Sequence, residues 1–115
     1  MKKLVLGLVL LFIAGQSLAV EKTVKCQIDS DNKVAYKGKC LFSPEGKGSF
    51  SLSNPIEGKP LLWELSAVSI YVTDKGAAEV SSLSNEGISS RWGEAKRSEK
   101  DKACWVGSDF KVCAW

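Results

Sequence analysis

Residues 103–115 read Ala103-Cys104-Trp105-Val106-Gly107-Ser108-Asp109-Phe110-Lys111-Val112-Cys113-Ala114-Trp115. Two short runs of strand-forming residues, each carrying a cysteine, flank the turn sequence Gly107-Ser108-Asp109. Folding the segment at Ser108-Asp109 sets Cys104 opposite Cys113. Facing positions on neighbouring strands are close enough for a disulfide. A disulfide-closed hairpin is therefore expected here, one instance of a strand–turn–strand pattern.

It recurs. Residues 23–28 form a strand ended by Asp29-Ser30-Asp31-Asn32, and residues 33–36 form a second that stops at Gly38. Cys40-Leu41-Phe42 and Ser49-Phe50-Ser51-Leu52 flank a glycine-bearing turn at 44–48. Residues 54–60 hold two prolines and a glycine and read as a loop. Residues 61–73 alternate strongly, with Trp63, Leu65 and Ala67 in one phase and Val68, Ile70 and Val72 in the other. A phase switch of that kind predicts a bulge near Ala67 and Val68. Residues 77–83 and 88–95 continue the series, and 96–102 form a charged connection. Seven or eight short strands predict an all-β antiparallel sandwich or barrel. The alternative is an α+β domain with one short helix over 94–102.

The N-terminus sets the compartment. Met1-Lys2-Lys3 is basic, residues 4–14 are apolar, and small residues stand at Ser17 and Ala19. This is the layout of a secretory signal peptide, with cleavage expected after Ala19. The apolar run falls short of the roughly 20 residues a spanning helix needs. Residues 20–115 then form a single domain, periplasmic or secreted, with no membrane insertion after cleavage. Loss of Lys2 and Lys3 lowers the net charge from +3 to +1. That balance gives no basis for nucleic-acid binding.

Four cysteines in a short exported chain predict two disulfides. Of the three pairings, Cys26–Cys40 with Cys104–Cys113 is the simplest. The spacings of thirteen and eight residues between them do not suit a zinc site. The chain has no histidine, which removes the Ser-His-Asp and Cys-His mechanisms and the commonest metal ligand. Asp29-Ser30-Asp31-Asn32 starts like a calcium loop, but Lys33, Val34 and Cys40 occupy positions that need an oxygen ligand, a glycine and a glutamate. No metal or cofactor site is expected. Glu64 and Glu79 are the one carboxylate pair worth inspecting for glycosidase-type chemistry, and a catalytic role is not expected.

Trp63 and Trp105 are expected to fill the core. Arg91 with Trp92 is weighed as a surface hot spot, and Lys96 and Arg97 as the tip of a basic loop, with Lys100 in the same segment, suited to an acidic cleft. The ending Ala103-Cys104-Trp105 with Cys113-Ala114-Trp115 resembles that of small exported proteobacterial proteins of unknown function. The general build is similar to periplasmic lysozyme inhibitors and secretion-system immunity proteins, and Ser84-Asn85-Glu86-Gly87-Ile88-Ser89-Ser90 loosely resembles their inhibitory motif. Export, small size, two disulfides, the missing catalytic sets and the Arg91 to Lys102 segment favour a non-catalytic factor, monomer or homodimer, that binds another protein. It would act as an inhibitor or immunity protein against a peptidoglycan hydrolase of the muramidase type. The alternatives are a small-ligand-binding or envelope-sensing module and a carboxylate-based hydrolase.

Overall fold

Alternation of apolar and polar residues over most of the chain yields one sheet that closes on itself. The computed structural model describes residues 20–115, so the signal peptide expected over 1–19 lies outside the described residues. Eight strands follow in order: β1 (Lys22–Ser30), β2 (Lys33–Gly46), β3 (Ser49–Ser53), β4 (Leu65–Asp74), β5 (Ala77–Ser84), β6 (Ser89–Arg97), β7 (Cys104–Val106) and β8 (Phe110–Ala114). Each pairs antiparallel with the next, and β8 returns to pair with β1 from Cys26↔Ala114 to Ser30↔Phe110. The alternatives of a sandwich and of an α+β domain are thereby settled in favour of a closed all-β barrel. Residues 94–97 are strand, with no helix over 94–102.

A barrel of eight strands has an interior just wide enough for side chains to fill. Ile28, Leu52, Val68, Ile70, Val80 and Val112 fill it around Trp105, the largest fully buried side chain. The outward positions carry Lys25, Lys37, Lys39, Glu94 and Lys96, all exposed. Apolar inside and charged outside is the reverse of a lipid-facing barrel. No helix among the described residues is long and apolar enough to cross a membrane.

Both disulfides join neighbouring strands, Cys26–Cys40 across β1 and β2 and Cys104–Cys113 across β7 and β8. They place the folded chain in an oxidising environment outside the cytoplasm.

Four local expectations are corrected. Gly38 does not end a strand; β2 runs through it. The Tyr36 ring covers the glycine so closely that an added Cβ would lie 3.0 Å from its hydroxyl. That hydroxyl also donates to the Lys39 carbonyl at 2.6 Å. The bulge in β4 falls at Ser66, between the pairs Leu65↔Ser84 and Ala67↔Leu83, earlier than the phase switch suggested. The charged connection begins at Ser98, because Lys96 and Arg97 pair with Val106 and Trp105. Trp63 is not a core residue: it is 61% exposed.

Candidate functional site

The two ends of the barrel differ. One, the mouth, is built from the turns at 31–32, 85–88 and 107–109 and the long β3–β4 connection at 54–64. The other, the base, carries the turns at 47–48 and 75–76, the 98–103 loop and residue 115.

The mouth is open on one side because β7 is only three residues long. It pairs with Lys96 and Arg97 alone, so the Ser89–Ala95 part of β6 has no ladder partner beyond it. Phe110 fills the gap from β8, edge-on to Trp92 with ring centroids 5.6 Å apart. Gly107 permits this, since a Cβ there would collide with the Phe110 ring. Trp92 is the extra residue of a bulge between Val80↔Gly93 and Ser81↔Arg91. Its side chain turns toward the core, and Nε1 donates to Ser82 Oγ at 3.1 Å. A cavity of about 390 Å³ remains, lined by Trp63, Leu65, Trp92, Phe110, Ser30, Ser82 and Asp109.

The connection at 54–64 forms the other wall. Its first half is pinned by Asn54, which accepts from the Ile56 amide at 2.8 Å and donates to the Pro60 carbonyl at 2.9 Å. Leu61 and Leu62 then enter the core. Trp63 follows as the first central residue of a tight turn in which the Leu65 amide donates to the Leu62 carbonyl at 2.9 Å. Its φ is +51°, a left-handed conformation that bulky residues rarely adopt. Two hydrogen bonds join the mouth turns: Asn85 N–H to the Glu64 carbonyl at 2.9 Å, and Asn32 N–H to the Asp109 carbonyl at 3.1 Å. Asp31 and Asn32 both have positive φ, as a two-residue hairpin turn of this kind requires.

The mouth collects exposed apolar side chains, namely Val34, Ile56, Leu83 and Ile88 beside Trp63. Its turns carry five carboxylates, those of Asp31, Glu57, Glu64, Glu86 and Asp109, against Lys59, with Lys33 exposed beside the 31–32 turn. A wider groove of about 840 Å³ follows the outer flank of the same loop, past Ile56, Lys59 and Glu21, and is open to solvent.

The residues singled out from sequence are not gathered in one place. Arg91 lies on the outer surface, bound through Nε and an NH2 group to the two Glu79 oxygens at 2.5 and 2.8 Å. Trp92 faces the core, so the two neighbours do not form one surface pair. Arg97 lies over the Trp105 ring, 4.5 Å from its centroid, and helps close the base. Lys96 and Lys100 are exposed near the same end. Glu64 sits in the mouth turn and Glu79 on the outer wall. The Arg91 hydrogen bond holds the Glu79 carboxyl below its ordinary range, opposite to the shift that a general acid needs. No group of three or more histidine, cysteine or acidic side chains that would hold a metal occurs among the described residues.

Trp115 has a structural part that its sequence position did not announce. It is half exposed, and its Nε1 donates to Asp101 Oδ2 at 2.9 Å, tying the 98–103 loop to the end of β8. The Ala103 amide and this indole together keep the Asp101 carboxyl below its ordinary range.

Fold and site define a closed, up-and-down, disulfide-bonded β-barrel with a polar wall and one aromatic mouth. The chain matches no protein-family model, no curated protein and no solved structure.

Proposed function

We propose that this protein is a non-catalytic binding factor, acting outside the cytoplasm, that docks another protein on the barrel mouth. Trp63 carries the reading. A left-handed backbone costs a residue with a Cβ about 1–2 kcal/mol, and an exposed indole does not regain it by burial. Strain of this kind, where the fold itself does not need the residue, points to a role in binding. Tryptophan is also the residue most enriched at binding hot spots. Export by the signal at 1–19 puts the protein in the periplasm or outside the cell. The finer reading is an inhibitor or immunity protein against a cell-wall hydrolase of the muramidase type. The acidic mouth suits a basic partner, as an enzyme working on anionic envelope polymers is expected to be.

The exported, oxidised protein is offered to a panel of lysozymes and cell-wall hydrolases. One enzyme should be captured at stoichiometric yield with its activity suppressed. Trp63→Ala should weaken that capture by about tenfold or more, while Lys96→Glu with Lys100→Glu should leave it unchanged. Undiminished capture by Trp63→Ala removes the mouth from the proposal. A small-ligand module is the second reading, favoured by the cavity. A thermal shift with an envelope metabolite, and no protein captured, selects it.

A further inference from the structure

We infer that the mouth cavity receives a lysine or arginine side chain of the docked partner, held between indole faces and the Asp109 carboxylate; this rests on the docking reading above. The walls are Trp63 and Trp92, and aromatic faces attract cations through their quadrupole. Of the charged residues, only Asp109 lines the cavity. Of the basic groups beside it, Lys111 is drawn to Asp29 at 3.7 Å, and Lys33, opposite Ser30, is exposed and outside the lining. The floor holds a polar group with capacity to spare. Ser82 is 3% exposed, and its Oγ accepts the Trp92 indole proton, which leaves a second lone pair to accept from a donor that enters the cavity. A buried hydroxyl in an apolar wall is costly unless hydrogen-bonded. Here it can orient Trp92 and still meet a polar atom that enters the cavity, as can Ser30 at the rim.

Charge complementarity selects the occupant. An anionic group would meet Asp109, the one charged side chain of the lining. A neutral apolar group would leave Asp109 and both hydroxyls unused. An alkylammonium or guanidinium uses the aromatic faces, the carboxylate and the apolar stem space beside Leu65 together.

The test separates the chemistry of the cavity from the existence of the partner. The exported, oxidised protein is titrated at constant ionic strength with Nα-acetyl-lysine methylamide and with N-acetyl-norleucine methylamide, which keeps the four-carbon stem and lacks the ammonium. The indole N–H resonances of Trp63 and Trp92 are followed. The lysine compound should shift both saturably and bind roughly three- to fivefold more tightly than the norleucine compound. Asp109→Asn should abolish that preference, and Trp63→Ala the binding. Equal affinity for the two compounds, or no saturable shift, overturns the assignment. Partner capture supplies the second readout. Capture weakened by both Asp109→Asn and Trp63→Ala supports the proposal. Capture lost in Trp63→Ala but untouched by Asp109→Asn overturns the cation while the docking reading stands. Lysine binding with no protein captured overturns the proposal that a partner supplies the cation. Both positions are exposed, and an unchanged thermal midpoint shows that the variants fold.

Discussion

The mouth and the base close the same barrel by different means. At the base, Arg97 lies on Trp105, Trp115 holds Asp101, and the Cys104–Cys113 bridge ties the start of β7 to the end of β8. At the mouth, the turns are joined by single hydrogen bonds, a tryptophan stands in a strained turn, and a cavity stays open. The difference teaches that stability is concentrated at one end, which leaves the other free to carry residues chosen for something else.

The contrast predicts how substitutions should divide. The largest effect should come from Trp105→Ala, which empties the core beneath Arg97 and should cost about 3–5 kcal/mol by urea denaturation. Trp63→Ala, the same change at the mouth, should cost little; a comparable loss would erase the distinction. Replacing Cys104 and Cys113 by serine should cost about 3 kcal/mol, through release of the unfolded chain, while leaving the Trp63 and Trp92 resonances in place. Trp63→Gly should keep the midpoint within about 1 kcal/mol of the parent or raise it, because glycine accepts φ +51°, and should still abolish partner capture.

The smallest effect is the pH response of the base. The folded Asp101 carboxyl titrates below its unfolded value, so its contribution is present above the ordinary carboxylate range and fades as the pH falls through the folded value. Acid titration should therefore shift the Trp115 indole resonance, and Asp101→Asn should remove that shift.

The alternation, the turn residues and the cysteine spacing carried the fold in the sequence. The hairpins around Asp31-Asn32, residues 44–48 and Gly107-Ser108-Asp109 form where turn chemistry put them, and both disulfides follow from pairing neighbours. What was hidden lay in residues that depart from period two. The bulges at Ser66 and Trp92 shift the inward phase by one residue, and only cross-strand register reveals where. Gly38 reads as a break because the Tyr36 ring that covers it is folded back by tertiary packing. Trp63 reads as core because its phase matches Leu65, yet a tight turn separates the two. The candidate site was legible only in part, since Trp92 was found but its partners Ser82, Phe110 and Asp109 come from two other segments.

The pairing of each cysteine with its nearest neighbour in sequence bears on how the protein is made. The separations are 14 and 9 residues, so each bridge can close within its own hairpin. A chain that emerges amino end first presents Cys26 and Cys40 before Cys104 and Cys113 appear. An oxidase that simply joins cysteines in order of arrival produces the native connectivity. Maturation then has no need of a disulfide isomerase, and β8 can dock on β1 last, with both bridges already in place.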